Sequence, residues 1–225
     1  MRKFLGTLPQ NIVQCFSGYN LIFHTLLIVL TVIIVTSGAD WWYSLATKSV
    51  APWGLYAGFL GFIVPVLLPL TLLLIGIVRR DQRLQQMAYA LAQAALIALL
   101  LTYFYKAFTG RAHPELFATD VLDIHTVLTG GVHDISKEFH FGFLRGGVFW
   151  GWPSSHAAVA FAGMTTLFLL VRNRAIGYTA LLYAFFIALG ASVSFHWLSD
   201  CIAGAILGTV VGRVVAKSYS DVLPY

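Results

Sequence analysis

Long apolar runs separated by short polar breaks dominate this chain. The runs span Leu21–Gly38, Trp53–Val78, Met87–Tyr105, Ser154–Val171, Ile176–Phe195 and His196–Ala216. Most of them approach the roughly 20 residues that a helix needs to cross a bilayer. The pattern predicts an all-α, polytopic membrane protein, a six-helix bundle that forms one domain over residues 1–225. The fifth and sixth runs merge at Gly190–Phe195, so the end of the fifth helix is the least distinct boundary.

Composition supports a membrane protein and excludes an ordinary soluble domain. Hydrophobic residues make up 59% of the 225 residues and charged residues only 10%, whereas soluble domains average about 25% charged residues. The net charge of +5 comes largely from basic residues between the apolar runs, where a membrane protein needs them for orientation. We therefore expect membrane lipids as neighbours and no nucleic-acid partner.

The basic residues also predict which way the helices face. Nine of the 14 lysines and arginines fall in connections expected on one side, namely Arg2, Lys3, Arg79, Arg80, Arg83, Arg172, Arg174, Arg213 and Lys217. By the positive-inside rule this side is cytoplasmic, and both termini lie there. The first run follows no typical small-residue cleavage site, so we expect it to be retained as a helix. The opposite side receives residues 106–152 and many interfacial aromatic residues.

Glycines recur every four residues in the last run, at Gly204, Gly208 and Gly212. This small-residue spacing lets membrane helices approach closely. We expect a helix-packing face here and no further role. The two cysteines, Cys15 and Cys201, lack a second cysteine at metal-ligand spacing and indicate no metal site.

Three clusters of polar residues lie at predicted outer helix ends. They are Lys106–Pro114, Pro153–His156 and His196–Asp200, at the ends of the third, fourth and sixth helices. Ionisable groups in or beside membrane helices are costly and mark functional sites. The convergence of three such clusters predicts one site at the outer face.

The second and third clusters carry the residue types of a phosphoryl-transfer site. His196 and Asp200 are four residues apart and would share a helix face, so the carboxylate would orient the ring and make His196 a stronger nucleophile. Ser154 and Ser155 precede His156 at a helix start, where backbone amides and the helix dipole favour a phosphate. His156 would then serve as general acid. Each cluster also has a purely structural interpretation, as a brace between helices or a plain helix cap.

The first cluster adds fixed positive charge. Lys106 and Arg111 would stabilise the equatorial oxygens of a phosphoryl transition state, although such a pair also serves as an interfacial anchor. Together, the three clusters resemble the type 2 phosphatidic acid phosphatase superfamily. Its members carry Lys, six residues, Arg-Pro; then Pro-Ser-Gly-His; then Ser-Arg, five residues, His, three residues, Asp. The resemblance covers Lys106 to about Gly208.

The resemblance implies a six-helix bundle that hydrolyses lipid phosphate esters or diphosphates without a metal or other cofactor. It implies that His196 is the nucleophile and forms a phosphohistidine, that Asp200 orients it, and that His156 is the general acid. Lys106 and Ser154 would bind the phosphate. By analogy with the family, the short chain with compact loops suggests a bacterial inner membrane, with the active site facing the periplasm.

The chain departs from the family pattern at three places. His113 stands where the family has the arginine before proline, Ser155 replaces the glycine before the second motif's histidine, and Leu189 and Gly190 replace Ser-Arg. Two phosphate-binding guanidinium groups are thus missing, and neither an imidazole nor a glycine is equivalent to them.

Three outcomes follow from the missing arginines. Arg111 takes over their role, an arginine such as Arg145 arrives from the outer loop, or phosphate is held weakly. We favour the first two in combination. The predicted phosphate-binding set is therefore Lys106, Arg111, His113, Ser154 and Ser155.

The polar segment 115–152 is expected to form an outer cap over the site. It contains residues that invite a metal-site interpretation, namely Asp120, Asp123, His125, His133, Asp134, Glu138 and His140. None of them has the tight, repeated spacing of a zinc site. We therefore expect no bound metal.

Three functions are compatible with the sequence. The favoured one is an integral membrane phosphatase that acts on a lipid phosphate. A lipid phosphotransferase would use the same phosphohistidine and pass the phosphoryl group to another acceptor, and a non-catalytic lipid-phosphate binder or transporter would fit the missing arginines. Several lipid classes are compatible substrates, since polyprenyl diphosphate, phosphatidylglycerol phosphate, phosphatidic acid and lipid A phosphate present similar chemistry to His196.

Overall fold

The structure is a computed structural model that describes residues 2–114, 134–145 and 151–223. Its helices are α1 (Arg2–Cys15), α2 (Asn20–Thr36), α3 (Ala39–Thr47), α4 (Ala51–Val78), α5 (Gln82–Thr109), α6 (Ser155–Leu170), α7 (Arg174–Ser194) and α8 (Leu198–Tyr219). Short 3₁₀ turns occupy Lys48–Val50 and Ile135–Lys137. The described residues form no β-strand, only one isolated bridge between Arg111 and Phe139. The all-α fold class is confirmed.

The helices are consistent with a multi-pass membrane protein. Four stretches are long and apolar enough to cross a bilayer, at Ala39–Val78, Gln82–Thr109, Arg174–Ser194 and Leu198–Tyr219. A fifth is added if the bent pair Lys3–Cys15 and Asn20–Thr36 counts as one span. α6 coincides with the fourth predicted run but has only 16 residues. Length and composition thus give four or five spans among the described residues, and the count of six stays a prediction.

The helical part of the chain begins earlier than the apolar pattern indicated. α1 precedes the predicted run, and the axes of α1 and α2 differ by 56° around Gly18, whose φ of 57° suits a residue without Cβ. The apolar pattern did not indicate α1 because this helix contains polar residues. Their hydrogen-bond partners lie inside the protein. The buried amide of Asn11 donates to Gln93 Oε1 at 2.7 Å and to Ser218 Oγ at 2.9 Å.

Capping residues fix several helix ends around the bundle. The Asp81 carboxylate accepts from the backbone amides of Arg83 and Leu84 at the start of α5, as N-cap residues do. α5 ends at Gly110, which has a left-handed φ of 50°. With 28 residues, α5 places its arginine-flanked start about 42 Å from its end. The basic connections and the polar clusters therefore lie at opposite ends of the bundle.

α6 and α8 form the centre of the bundle through a close contact at small residues. A Cβ on Gly204 or Gly208 would overlap the backbone carbonyl oxygens of Ser154 and Ala158, and one on Gly212 would lie 2.6 Å from Cβ of Thr165. The packing face predicted from the glycine spacing is confirmed. It brings the beginnings of α6 and α8 together, and both of these beginnings carry candidate catalytic residues.

α4 contacts α7 through a second stripe of small residues. A Cβ on Gly58 would lie 2.6 Å from the ring of Phe195, and one on Gly61 would lie 2.7 Å from Ile187. The other faces of α4 expose large apolar side chains such as Phe62 and Val66. Exposed apolar side chains on a membrane helix are suited to contact with lipid.

Candidate active site

The three predicted clusters converge on one cavity. It has a volume of about 690 Å³, and its polar end is lined by Lys106, His113, Ser155, His156 and His196. These residues come from the end of α5, the connection that follows it, the start of α6 and the link between α7 and α8. Helix ends meet here because α5 runs in the opposite direction to α6 and α8.

His196 and Asp200 lie side by side, but not on one helix as expected. α7 ends at Ser194 and α8 begins at Leu198, so His196 lies in the link and Asp200 in the first turn of α8. The link forms because the Asp200 carboxylate caps the helix start, where its Oδ2 accepts from the backbone amide of Trp197 at 3.1 Å. Nδ1 of His196 lies 3.6 Å from the same oxygen, which is longer than a hydrogen bond.

The environment of His196 favours the neutral ring. The side chain is only 2% exposed, and burial lowers the pKa of His196 to about 3, although the neighbouring Asp200 acts in the opposite direction. An imidazole must be neutral to offer a lone pair to phosphorus. Nδ1 faces Asp200, so Nε2 is the ring nitrogen that points away from this carboxylate.

Two further histidine rings surround His196. The centroid of His113 lies 5.0 Å from that of His196, and the centroid of His156 lies 5.9 Å away. Nδ1 of His113 contacts the carbonyl oxygen of Phe195 at 2.6 Å. A carbonyl only accepts, so this nitrogen carries the proton. Nδ1 of His156 has no hydrogen-bond partner within the described part of the chain.

The two serines at the start of α6 differ in position. Ser154 is fully buried, and its hydroxyl accepts from the backbone amide of Ala157 at 3.4 Å as an N-cap. Ser155 is half-buried and lines the cavity. The plain capping interpretation therefore describes Ser154, and only Ser155 faces the space where a phosphate would lie.

Lys106 enters the cavity from the last turn of α5. It is 3% exposed, and its Nζ lies 3.4 Å from the carbonyl oxygen of Gly151. Among the described residues it is the one lysine or arginine that lines the cavity. The polar end thus holds one full positive charge close to three histidines.

Arg111 does not lie where a phosphate-binding arginine is needed. Its side chain is fully buried behind the histidines, and its guanidinium forms ion pairs with Asp200 at 2.5 Å and with Asp40 at 2.6 Å. It also donates to the carbonyl oxygen of Ser136 at 2.5 Å and to Ser199 Oγ at 2.7 Å. The expectation that Arg111 replaces the missing arginines does not fit this position, because its donors point at carboxylates and away from the cavity.

The position of the third motif's arginine is occupied by another helix. A Cβ on Gly190 would overlap Cβ of Ala57 on α4, and the neighbouring Leu189 is exposed on the outside of the bundle. No side chain fits at Gly190 while α4 and α7 pack this closely. Arg145, the second replacement considered, is exposed and is not among the residues that line the cavity.

The remainder of the cavity is apolar. It follows facing sides of α4 and α5, where the lining residues include Gly61, Phe62, Pro65, Val66, Pro69, Leu70, Leu73, Ala88, Tyr89, Ala92, Ala95, Leu96, Leu99 and Tyr103. Few polar groups interrupt this surface. The cavity therefore joins a cationic, histidine-rich end to a long hydrocarbon-like groove.

Most of the predicted outer cap lies outside the described residues, including Asp120, Asp123, His125 and His133. Its described part, residues 134–145 and 151–152, contains a 3₁₀ turn that contacts Arg111 through Ser136. Within the described ranges, no group of three histidine, cysteine or acidic side chains is placed to hold a metal ion.

Comparison with protein families identifies the chain. Residues 86–223 match the model of the PAP2 superfamily, which is the type 2 phosphatidic acid phosphatase superfamily. The match covers more than half of the chain and includes all three clusters. The chain belongs to the PAP2 superfamily. Comparisons with curated proteins and with solved structures gave no significant match.

PAP2 proteins are phosphatases, so membership supports a phosphoric ester hydrolase at that level of description. The resemblance seen in the motifs is confirmed. The structure adds Asp40 and Ser199 to the surroundings of the site, and neither was predicted. The available signal for Asp40 was a single carboxylate beside Trp41 and Trp42, directly after the first apolar run.

Proposed function

We propose that this PAP2 protein is an integral membrane phosphatase that hydrolyses lipid phosphate monoesters or diphosphates through a phosphohistidine on His196. The observation that carries the proposal is the cavity itself, which is cationic and histidine-rich at one end and apolar elsewhere. A lipid phosphate has the same division, with an anionic head and a hydrocarbon tail.

The apolar groove is long enough to hold a lipid tail. Its lining on α5 extends from Lys106 to Ala88, which corresponds to about 27 Å of helix, close to the roughly 30 Å of a bilayer's hydrocarbon core. Phe62 and Val66 line the groove and are 72% and 51% exposed. The groove is thus open sideways, and a lipid can enter it without leaving the bilayer.

In the proposed reaction, Nε2 of neutral His196 attacks phosphorus while the bond from phosphorus to the leaving oxygen breaks. His156 gives a proton to that oxygen as it departs. Asp200 stabilises the positive charge that develops on the His196 ring, and the 3.6 Å separation would shorten in the complex, as catalytic hydrogen bonds often do. Water then attacks the phosphohistidine, His156 takes up a proton from this water, and the P–N bond breaks to release phosphate and the neutral His196 ring.

The charge of the transferred group would be balanced by three features. Lys106 supplies a full positive charge at the cavity, and the amides at the start of α6 beside Ser155 offer donors to phosphoryl oxygens. His113 would complete the set in place of the family's arginine, because its ring lines the polar end of the cavity and is held there through Nδ1, which donates to the carbonyl oxygen of Phe195.

For the membrane topology we propose six crossings, with the short α6 as the fourth. Both termini and the basic connections would be cytoplasmic by the positive-inside rule, and the cavity's polar end would then lie at the outer face. In a bacterial inner membrane, this end would face the periplasm.

The proposal is tested by reconstituting the protein with a radiolabelled lipid phosphate and a chelator. We expect release of inorganic phosphate, trapping of an acid-labile phosphohistidine in the wild type, and loss of both in His196→Ala. Phosphate release that is undiminished in His196→Ala would refute the assignment of the nucleophile. Label that passes to a lipid or sugar acceptor would identify a phosphotransferase, and binding without any phosphohistidine would identify a non-catalytic binder.

A further inference from the structure

Asp40 is a buried carboxylate that the family match does not include. It lies in α3, ahead of the matched residues 86–223, and is 0% exposed. Its Oδ1 accepts from the backbone amide of Ser199 at 2.9 Å. Its Oδ2 accepts from Ser199 Oγ at 2.5 Å and from Arg111 at 2.6 Å. Asp40 therefore binds both the residue next to Asp200 and the arginine that binds Asp200.

The resulting cluster holds two carboxylates on one guanidinium. One terminal nitrogen of Arg111 binds Asp200 and the other binds Asp40, and all three side chains are 0% exposed. The guanidinium carbon also lies 4.9 Å and 5.5 Å from the rings of Phe139 and Trp197, a favourable cation–π geometry. With both acids ionised, the cluster has a net charge of −1.

This charge balance matters for His196. An arginine paired with Asp200 alone would neutralise the carboxylate that has to stabilise a positive ring during the reaction. Charges interact strongly in a buried site because little water screens them. A second carboxylate on the far side of Arg111 offsets the guanidinium and leaves one negative charge directed at His196.

We propose that Asp40 is a positioning residue of the reaction, acting through Arg111 and Ser199 to orient Asp200 and to keep the Asp200–Arg111 pair from being electrically neutral. This inference rests on the proposed function, because it concerns the charge that forms on His196. It assigns α3, which lies outside the family match, a part in the chemistry. Asp40 does not contact the cavity and is not itself a catalytic residue.

The test compares Asp40→Asn with wild type in detergent micelles containing radiolabelled dioctanoyl phosphatidic acid. Asparagine keeps the size of the side chain and removes its charge. Rapid-quench measurements give the rate constant of phosphohistidine formation, normalised to the number of sites that become labelled. Unfolded molecules do not become labelled and therefore do not contribute. We expect this rate constant to fall at least about 10-fold in Asp40→Asn, with KM and the number of labelled sites nearly unchanged.

A second substitution separates charge balance from simple structural support. Asp40→Asn/Arg111→Gln removes one positive and one negative charge and restores the net charge of −1. We expect each labelled site of this double variant to react faster than in Asp40→Asn alone. A purely structural role predicts the opposite, because a second buried partner has been lost. Asp40→Glu, which keeps the charge, should lie between Asp40→Asn and wild type.

Asp221→Asn is the matched control, since it removes an exposed carboxylate that pairs with Lys3 at the opposite end of the bundle. It should react like wild type. A wild-type rate constant in Asp40→Asn, or a double variant slower than Asp40→Asn, would overturn the role of Asp40 and leave the proposed function intact. Failure of the wild type itself to form a phosphohistidine would overturn both.

Discussion

Restoring the family's arginine at position 190 should damage this protein, and even a methyl group there should destabilise it. A Cβ on Gly190 would overlap Cβ of Ala57, where α7 and α4 pack together. In an isolated helix, Gly→Ala is stabilising by about 1 kcal/mol because alanine has the higher helix propensity. Overpacking of a close contact costs about 1–3 kcal/mol. Packing and propensity therefore predict opposite signs for Gly190→Ala.

We expect packing to prevail, so that the free energy of unfolding falls by up to about 2 kcal/mol in Gly190→Ala, which is the overpacking cost less the gain in helix propensity, and by more in Gly190→Arg. Ala57→Gly should rescue Gly190→Ala, because it removes the overlapping atom. The next atoms, Cα of residue 57 and the carbonyl oxygen of Gly54, lie 3.5 Å and 3.6 Å away, which is ordinary contact. Reversible unfolding of wild type, Gly190→Ala, Ala57→Gly and the double variant in detergent micelles gives a double-mutant cycle. The coupling free energy between neighbouring sites of this kind is about 0.5–3 kcal/mol.

Two results would refute this reasoning. One is a Gly190→Ala variant that is more stable than wild type, as propensity alone predicts, and the other is a double variant without coupling between positions 57 and 190. Phosphatase activity above that of wild type in Gly190→Arg would contradict the further conclusion that α4 occupies the place of the family's arginine.

Three other predictions concern the site and its supports. Lys106→Gln should lower kcat by roughly 10²-fold, because it removes the full positive charge at the cavity. Lys217→Gln, at the opposite end of the bundle, should leave kcat unchanged, and steady-state assays of both variants measure this difference. Gln93→Leu should cost about 1–2 kcal/mol of stability, because Asn11 loses one of its two acceptors and the carbonyl oxygen of Phe4 loses the Gln93 amide donor, with unchanged activity for each folded molecule. Burial lowers the pKa of His196 to about 3, below its usual 6.5, so the unfolded state binds the extra proton between these values and stability falls as pH decreases through this window. Between pH 6.5 and 5 the loss from this group is about 2 kcal/mol, and unfolding at several pH values should show a smaller loss in His196→Asn; equal pH dependence in both proteins would contradict the buried, neutral ring.

The sequence alone determined the membrane class, the approximate helices and the identity of the three clusters. Helix length and apolar runs are local properties, so each of the six predicted runs corresponds to a helix of the bundle. The glycine spacing in α8 predicted a packing face for the same reason, and the structure shows that α6 is the helix that packs on it. The family motifs then indicated that His156, His196 and Asp200 belong together, although they lie up to 44 residues apart.

Only the tertiary structure decided what the polar residues do within the site. Arg111 and Asp40 are 71 residues apart. No local sequence pattern shows that Arg111 pairs with two buried carboxylates and does not line the cavity where a phosphate would bind. Likewise, the sequence shows only that Gly190 stands where the family has an arginine. The structure shows that α4 occupies the space that this side chain would need. Such outcomes depend on which charges and surfaces meet once distant helices pack, because the cost of a buried charge or an overlapping atom is set by its neighbours in space.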